Sequence, residues 1–266
     1  MVSRQRRQMI DCNAFVLNYP GISLAEMADV KLMNRTDTKF VTVLDRLECL
    51  LRMAEGRYYV QDIGGLHVIP YETTYFDTPE RAMYLAHHNR RLHRQKIRVR
   101  TYLDSGDTFL EIKTKNNHGR TKKKRVAMAH GESILEHEDF IRKRLWYYPE
   151  DLSPTLKNHF NRITLVNMGK TERLTIDFGV RFHNCYNGKE DELENLVIIE
   201  LKRDGLQQSS ILDMLRDLRI HPMGFSKYCM GMCMTDNGLK RNLFKEKLRR
   251  IDKISERKYD CAVGRR

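Results

Sequence analysis

The heptapeptide KIRVRTY, residues 96–102, has the alternation of polar and apolar side chains that is typical of a β-strand. Its polar face holds three cations, Lys96, Arg98 and Arg100, together with Tyr102. Cations at every second residue of a strand lie about 7 Å apart. Each neighbouring pair then costs about 0.6 kcal/mol in water, and about 2.4 kcal/mol in an enclosed site of effective dielectric about 20. The strand therefore lines either an open, solvated surface or a pocket that an anion stabilises.

The composition is that of a basic globular chain. Its 266 residues, 41% of them hydrophobic, are enough to bury a large core. The net charge of +13 favours a polyanionic partner, which is a nucleic acid, an anionic membrane surface or a phosphate compound. More than half of that charge lies in residues 238–266, where eleven Lys and Arg side chains accompany four Asp and Glu side chains. The rest of the chain is therefore only mildly basic.

Three features of the sequence bear on the cellular compartment. The six cysteines form no CxxC pair, which predicts free thiols in a reducing environment. The N-terminal residues lack the apolar core of a signal peptide. No apolar run approaches the roughly 18 to 20 residues that span a bilayer. We therefore expect a cytoplasmic protein without a transmembrane segment.

The segments around the heptapeptide predict an antiparallel meander of strands. Strand patterns recur in residues 35–43, 71–77, 109–115, 121–128, 173–182 and 195–203, with turn signals between several of them. Helical patterns start at Asp45 and at Thr78-Pro79, and occupy residues 132–145, 152–160 and 209–218. Each of the strands has an apolar face, which helices must cover, and a charged face. The sequence therefore predicts an α+β fold.

The charged faces bear on whether the sheet is open or closed. A sheet with one solvated face explains the alternation by itself. Two details favour a barrel with a polar lumen instead. Lone acids interrupt the cationic faces at Glu111, Asp177 and Glu200, and the aromatic residues Tyr75 and Tyr102 lie beside the charges. We therefore predict an antiparallel β-barrel that forms a tunnel with a charged lumen, with helices packed on its outside.

A lumen of this composition suits phosphate groups. Arg guanidinium groups bind two phosphate oxygens at once, and Lys supplies a point charge. A carboxylate among the cations, above all Glu200, is suited to hold Mg²⁺ or Mn²⁺ between phosphate oxygens. The residues alone leave open both a phosphate-processing enzyme and a module that only binds polyanions.

Eight short motifs follow one another along the chain. They are RTDTKF (35–40), YFDT (75–78), KIRVRTY (96–102), FLEIKTK (109–115), TKKKRV (121–126), NR (161–162), VIIELK (197–202) and GFSKYCMG (224–231). In this order they resemble the VTC domain, the catalytic module of polyphosphate polymerases in the triphosphate tunnel metalloenzyme superfamily. The chain looks like a bacterial-type, stand-alone member. The expected division is an N-terminal segment at 1–29, the tunnel domain at 30–235 and a basic C-terminal helix or tail at 236–266.

The resemblance implies a role for the matching side chains. The cations expected to act on the reacting phosphates are Lys39, Arg98, Arg100, Lys113, Lys123, Arg162 and Lys227. Glu200 is the expected ligand of a metal ion, Mn²⁺ or Mg²⁺. The residues expected to bind substrate are Tyr75, Tyr102, Lys115, Arg125, Arg173, Lys202 and Ser226. Among these, Arg125 and Arg173 are included because they share strand faces with the matching residues.

The implied reaction is transfer of the γ-phosphoryl group of ATP to the end of a growing polyphosphate chain, so ATP and polyphosphate are the expected partners. Relatives in the superfamily that hydrolyse or cyclise triphosphates carry a Glu-x-Glu-x-Lys strand, whereas this chain reads Arg35-x-Asp37-x-Lys39. Triphosphate hydrolysis in the same tunnel remains an alternative, as does a non-catalytic module that binds polyphosphate or nucleic acid. The interspersed acids would repel a nucleic-acid backbone, so we expect no nucleic-acid partner.

The basic C-terminal segment has apolar residues near helical spacing, at Leu239, Leu243, Leu248, Ile251 and Ile254. This pattern predicts a helix docked on the domain. It is also typical of an amphipathic surface for an anionic membrane, a membrane protein or the emerging polyphosphate. We therefore allow for peripheral association of a cytoplasmic protein with the inner face of a membrane.

Overall fold

The computed structural model describes residues 12–28, 35–118, 120–205 and 208–256. Its strands are β1 (Gly21–Ile22), β2 (Arg35–Val43), β3 (Tyr58–Gln61), β4 (Ile69–Asp77), β5 (Arg94–Tyr102), β6 (Thr108–Lys115), β7 (Thr121–Met128), β8 (Ser153–Asn167), β9 (Glu172–Asn184), β10 (Glu190–Leu193) and β11 (Leu196–Asp204). Its α-helices are α1 (Leu24–Ala28), α2 (Leu44–Ala54), α3 (Ala82–His88), α4 (Glu138–Arg142), α5 (Ser210–Asp217), α6 (Lys227–Thr235) and α7 (Lys245–Glu256). Short 3-10 helices lie at Ile134–His137, Pro149–Asp151 and Asn242–Phe244.

The strands form one curled sheet. Its main path runs β2-β11-β9-β8-β4-β5-β6-β7, and neighbours along this path are antiparallel. β2 and β7 are the two ends of the path, and the curl brings Lys113 on β6 close enough to Glu200 on β11 for each to affect the pKa of the other. We call the enclosed space the lumen and the face that carries these two residues the inner face. The predicted α+β tunnel of antiparallel strands is confirmed in this unclosed form.

Helices cover the apolar outer face of one half of the sheet. Phe40, Ile176 and Ile199 belong to β2, β9 and β11, and they share a buried cluster with Leu50 of α2 and Ile211 of α5. Burying a side chain of this size contributes about 1.5 to 3 kcal/mol. The alternation read in the sequence therefore has its expected cause, because outward apolar residues pack under helices while inward charged residues face the lumen.

The helix α6 lies on the inner face of the sheet. Its Tyr228 stacks on Tyr75 of β4, with 5.1 Å between the ring centroids. The Tyr228 hydroxyl donates to Oδ2 of the buried Asp77 at 2.5 Å. Asp77 also accepts hydrogen bonds from two backbone N–H groups of α3, each at 2.9 Å, so one carboxylate joins β4, α3 and α6. The helix fills the apolar part of the lumen. The charged part stays accessible, since the Lys39 side chain there is 36% exposed.

Gly231 marks a close approach of α6 to the sheet. A Cβ added there would lie 2.5 Å from Cδ2 of Leu156 and 2.6 Å from Cδ1 of Phe182, which is closer than packed side chains allow. We therefore expect Gly231→Ala to destabilise the fold by about 1 to 3 kcal/mol, measured as a lower Tm. This direction is informative, because replacing Gly by Ala inside a helix normally stabilises the protein. Gly169→Ala is the control, since its Cβ would meet nothing nearer than 3.7 Å; equal Tm values for both variants would contradict this packing.

The prediction of a helix at residues 152–160 is wrong, because residues 153–160 lie in β8. Leu156, Asn158 and Phe160 are buried, whereas Lys157 is exposed, as the two-residue period of a strand requires. β8 pairs with β4 on one side and β9 on the other along most of its length. These long-range pairings outweigh the local helical pattern.

Two other helices begin differently from the sequence prediction. The helix over 45–54 is confirmed as α2, but Asp45 lies in its first turn and the N-cap is Val43, which makes no side-chain cap. Pro79 lies in the turn that precedes α3, and that helix begins only at Ala82. α2 thus follows β2 directly, whereas a turn separates β4 from α3.

The remaining local predictions have mixed outcomes. The helix near 209–218 is confirmed as α5, and the segment 132–145 divides into a 3-10 helix and α4. The C-terminal helix is docked as expected, since Ile251 of α7 is buried in the same apolar cluster as Tyr75 and Tyr228. Cys12, Cys185, Cys229 and Cys233 are free, but the prediction of free thiols is wrong at Cys49, which is disulfide-bonded. No helix in the described ranges is long and apolar enough to cross a bilayer.

Candidate functional site

Cross-strand pairing places the charged residues on one face of the sheet. Glu200 on β11 lies opposite Lys39 on β2. On the other side of the lumen, Arg98 on β5 lies opposite Tyr75 on β4 and Glu111 on β6. Directly paired residues share a face. The inner face therefore carries a continuous row of cations, acids and aromatic rings that no single segment of sequence displays.

Glu111 forms the first ion-pair centre of the lumen. It is 1% exposed and accepts from Nε of Arg98 at 2.7 Å and from Nζ of Lys123 at 2.9 Å. Burial alone would raise the pKa of Glu111, but Arg98, Arg100 and Lys123 hold it well below its ordinary value. The carboxylate is therefore ionised and fixes the direction of the Arg98 guanidinium.

Asp177 forms the second centre, between β9 and α6. Arg162 donates to both of its oxygens, from Nε at 2.6 Å and from Nη2 at 2.9 Å, and Lys227 donates to Oδ2. The Lys227 ammonium also lies 4.0 Å from the ring centroid of Phe160, a cation–π contact. Burial would raise the pKa of Asp177, and the two cations lower it further than burial raises it. This acid therefore positions one cation from the sheet and one from the inner helix.

Glu200 forms the third centre. Its carboxylate lies 3.3 Å from Nζ of Lys39 and 3.0 Å from Nζ of Lys202. Burial would raise the pKa of Glu200, but Lys202 and Lys39 keep it far below its usual range. Lys39 also donates to the backbone carbonyl of Phe225 at 3.2 Å. Glu200 is thus an ionised oxygen donor on the accessible part of the lumen, with its side chain 23% exposed.

Arg100 and Lys113 are lumen cations that have no ion pair within the described part of the chain. Arg100 is 8% exposed, and its Nε donates only to the Thr73 hydroxyl, at 3.2 Å. Burial lowers the pKa of Arg100 to about 10, and the nearby Arg98 and Arg162 act in the same direction. Lys113 has its pKa lowered well below the ordinary value, first by Arg98 and then by burial. Both groups are therefore repelled by neighbouring cations, and a bound anion would offset this repulsion.

Buried polar atoms without partners add to this picture. Both side-chain polar atoms of Asn158 and the hydroxyl of Thr175 have no hydrogen-bond partner within the described residues. Asn158 lies opposite Thr73 on β4, and Thr175 lies opposite Glu200 on β11. An unsatisfied buried polar group costs about 1 to 3 kcal/mol. The Asn158 amide nitrogen and the Thr175 hydroxyl could therefore donate hydrogen bonds to oxygen atoms of a ligand or of water.

Three of the remaining predicted site residues lie at different depths in the lumen. Tyr75 is buried, and its hydroxyl lies 3.4 Å from Nη1 of Arg98. Ser226 caps α6 and accepts from Nζ of Lys96 at 2.8 Å. Tyr102 packs on the ring of Tyr71, with centroids 4.9 Å apart.

Three other predicted residues lie at the edge of the inner face. Arg125 is exposed, with its guanidinium 4.4 Å from the ring centroid of Phe109. Arg173 donates from Nη2 to the carbonyl of Met27 at 2.7 Å. Lys115 ends β6 and is paired across the strands with Arg94. The structure therefore does not bring these three into the ion-pair centres.

Several residues of the inner row are absent from the sequence-based set. Lys96 lies on the same face of its strand as Arg98, so the alternation in the sequence was enough to include it. Glu111 and Asp177 stood out as lone acids, but their role as partners of arginines depends on register. Tyr71, Phe160, Asn158 and Thr175 had no signal, because apolar and neutral residues in strands normally indicate core.

The protonation of Lys227 and Tyr75 predicts how anion binding depends on pH. Burial lowers the pKa of Lys227 to about 8. Burial would raise the pKa of Tyr75, but Arg98 and other cations bring it down to about 8. As pH rises through 8 the lumen loses a positive charge at Lys227 and gains a negative charge at Tyr75. We therefore expect tripolyphosphate affinity, measured by calorimetry, to fall about tenfold between about pH 7 and about pH 9.

The matched control for this pH effect is the double variant Lys227→Arg/Tyr75→Phe. Its guanidinium stays charged over the whole range, and its phenyl ring cannot ionise. We expect this variant to retain affinity at about pH 9. The same decline in both proteins would show that ionisation of the ligand, and not of these two residues, causes it.

Comparison with known proteins identifies the family. The family model described as the VTC domain matches residues 34–235 of this chain. The chain therefore belongs to the VTC domain family, within the triphosphate tunnel metalloenzyme superfamily. No curated protein matches the chain.

Solved structures of low sequence identity also align with the chain. One is a candidate adenylyl cyclase from Hippeastrum with a dominant triphosphatase activity, at 12% identity and a TM-score of 0.47, covering 77% of this chain and 97% of that one. Candidate adenylate cyclases from Vibrio parahaemolyticus (9% identity, TM-score 0.46, 76% and 99% covered) and Bacillus halodurans (15%, 0.46, 73% and 96%) are two others. These alignments are distant, so the fold assignment rests on the strand topology and the family match.

The superfamily implies dependence on a divalent metal ion, and the lumen residues fit a metal that substrate helps to hold. Within the described ranges no group of three or more His, Cys, Asp or Glu residues is arranged as a metal cage. Mg²⁺ does not need one, because it usually keeps several waters and binds one or two carboxylates plus substrate phosphates. Glu200 supplies such a carboxylate, and Asp37 lies across the strand pair from the adjacent Lys202.

Proposed function

We propose that this protein is a polyphosphate polymerase, which transfers the γ-phosphoryl group of ATP to the end of an inorganic polyphosphate chain. The observation that carries the proposal is that two lumen cations, the buried Arg100 and the half-buried Lys113, have no carboxylate partner among the described residues, in a chain of the VTC domain family. A chain of phosphates supplies an anion at every repeat. It therefore matches a row of cations better than a single carboxylate or sulfate does.

Phosphoryl transfer needs alignment and charge neutralisation more than it needs a protein nucleophile. A terminal oxygen of the polyphosphate forms the new bond to the γ-phosphorus of ATP, while the bond from that phosphorus to the β,γ-bridging oxygen breaks and ADP leaves with the electron pair. The chain end is already ionised, so no protein base is required. Arg98 and Arg162 enter the reaction pre-oriented, because Glu111 and Asp177 hold them.

The roles follow from position in the lumen. Arg98, Arg100, Lys113, Lys123, Arg162 and Lys227 would stabilise charge on the reacting phosphates, with Lys39 at the accessible end. Glu200 would hold Mn²⁺ or Mg²⁺, which when bound supplies further neutralisation between phosphate oxygens. Tyr75, Ser226 and Lys202 would contact substrate from the same row. Tyr102, Lys115, Arg125 and Arg173 would meet it only toward the edges.

Triphosphate hydrolysis is the second candidate function. Asp37 lies on the inner-face row of β2, two residues from Lys39, where relatives that cleave triphosphates carry an acid. Water in place of the chain end would then release free phosphate. A purely binding module is less well supported, since an ionised acid in position to hold a metal serves chemistry and weakens simple anion binding.

The test is incubation of purified protein with ATP and Mn²⁺ or Mg²⁺, following polyphosphate on a gel together with ADP and free phosphate. We expect long chains with matching ADP, and loss of both in Lys113→Gln. Lys157→Gln is the control, because Lys157 is an exposed lysine ion-paired to Glu72 at 3.5 Å. Free phosphate without chains would favour the hydrolase. A complete lack of metal-dependent turnover would contradict an enzymatic function.

A further inference from the structure

A cationic cavity lies beside the lumen, between α3, the start of β5 and α7. Its volume is about 380 Å³. The charged and ionisable residues that line it are His87, His88, Arg90, Arg94, Lys247 and Arg250, together with one carboxylate, Glu246. We call it the vestibule. Two of these cations come from α7, which lies outside the residues matched by the VTC domain model.

The vestibule and the lumen meet at the turn Gly224-Phe225-Ser226, where three lysines from three elements converge. Nζ of Lys247 lies 3.8 Å from the point that a Cβ on Gly224 would occupy. Lys39 donates to the carbonyl of Phe225 at 3.2 Å, and Lys96 donates to the hydroxyl of Ser226 at 2.8 Å. Lys247 belongs to the vestibule, whereas Lys39 and Lys96 belong to the lumen. An extended anion that leaves the lumen here would therefore pass directly from one set of cations to the next.

The charge of the vestibule is unbalanced within the described residues. Among the described residues, Glu246 is the only lining carboxylate, against four lining Arg and Lys side chains. His87 also lines the cavity, and its buried Nδ1 has no hydrogen-bond partner among the described residues. Burial and the nearby Lys96, Arg94 and Lys247 lower the pKa of His87 to about 2. The ring is therefore neutral, and with its proton on Nδ1 it can donate to a ligand oxygen.

We propose that the vestibule binds the part of a polyphosphate chain that extends beyond the lumen, with Arg90, Arg94, Lys247 and Arg250 contacting phosphates that do not react. This inference rests on the proposed function for its choice of ligand. A recess among three elements, with Lys247 partly buried, suits an extended polyanion better than a flat membrane surface does. The basic C-terminal helix then extends the substrate track as a second, non-reacting site.

The test compares two double variants of α7 that lose the same charge. Lys247→Gln/Arg250→Gln removes vestibule cations, and Lys245→Gln/Arg249→Gln removes exposed cations that do not line the cavity. The probes are tripolyphosphate, as the short chain, and a polyphosphate of about 25 or more phosphates, as the long chain. For the vestibule variant we expect long-chain affinity to fall about tenfold and tripolyphosphate affinity to stay within about twofold. The control variant should bind both probes like the wild type.

Salt dependence gives a second readout. Each lost phosphate contact should lower the slope of log affinity against log salt by about 0.7, the value for single-stranded polyanions, so the vestibule variant should lose about 1 to 2 units of slope for the long chain. Arg90→Asn is a third variant that guards against misfolding of α7, because Arg90 has φ 58° and Asn tolerates this left-handed conformation. It should lower long-chain affinity about threefold.

Four results would overturn the proposal that the vestibule binds polyphosphate. Equal losses in both double variants would show a non-specific charge effect. Loss of tripolyphosphate binding as well would place the defect in the lumen. Binding to phosphatidylserine vesicles that depends on Lys247 and Arg250, without an effect on polyphosphate, would assign the surface to a membrane. None of these assays contains ATP, so a protein that fails to polymerise can still support the vestibule, and an active polymerase without the long-chain effect would refute it.

Discussion

Replacing Arg100 with Gln should weaken binding of tripolyphosphate about 10- to 100-fold without destabilising the free protein. The guanidinium is buried and has no ion pair among the described residues. Its loss removes charge-assisted hydrogen bonds to the ligand, each contributing about 1.5 to 3 kcal/mol. It also removes repulsion with Arg98 and Arg162, which helps to lower the pKa of Arg100 to about 10. Calorimetric titration and thermal unfolding measure the two effects separately.

Two comparisons make this expectation specific to Arg100. Arg181→Gln changes an arginine that is 72% exposed on β9 and should alter neither affinity nor Tm. Arg98→Gln should instead destabilise the fold by about 3 to 5 kcal/mol, because it leaves the buried Glu111 with a weaker ion pair. A large loss of stability in Arg100→Gln with unchanged affinity would mean that this arginine is structural.

Glu200→Gln should lower metal-dependent turnover at least about 100-fold while leaving metal-free binding of tripolyphosphate intact or tighter. The substitution removes the oxygen donor proposed to hold the metal. It also frees Lys39 and Lys202, now 3.3 Å and 3.0 Å from the carboxylate, to contact phosphate. The opposite effects on turnover and on metal-free affinity separate a metal-binding role from a purely structural ion pair.

The control for Glu200 is Glu192→Gln, a change at an exposed acid of β10 that lies 3.7 Å from Arg181. It should leave turnover and affinity unchanged. Turnover is best measured over a range of Mn²⁺ concentrations, because a weakened metal site shifts the half-maximal concentration upward. Undiminished turnover in Glu200→Gln would remove Glu200 from the mechanism.

Strand parity accounts for what could be predicted from the sequence. Arg98 and Arg100 alternate with apolar residues, so their shared face was readable from seven residues. The partners of that face were not, since Arg98 meets Glu111 and Tyr75 only through the register of three strands. Parity also places Arg125 on the same face, although it is exposed at the edge of the sheet. Strand parity therefore predicts which face of the sheet a residue lies on, but not how deeply the residue is buried there.

Long-range packing explains the features that sequence reasoning missed. Residues 153–160 look locally helical, yet they pair on both sides within the sheet. The position of α6 on the inner face depends on Gly231, which brings it against Leu156 and Phe182, and on the bond from Tyr228 to Asp77. No short window of sequence contains both members of these contacts. Similarly, the vestibule joins residues of α3 and α7 that are more than 150 positions apart.

The most direct measurement is a crystal structure of the protein soaked with tripolyphosphate. We expect density for the ligand in the lumen, with phosphate oxygens about 3 Å from the Arg100 guanidinium and the Lys113 ammonium. The Glu111 and Asp177 ion pairs should be unchanged, because they hold Arg98 and Arg162 in place before the ligand arrives. A ligand bound only outside the lumen, or Arg100 and Lys113 paired with carboxylates of the protein itself, would contradict the account.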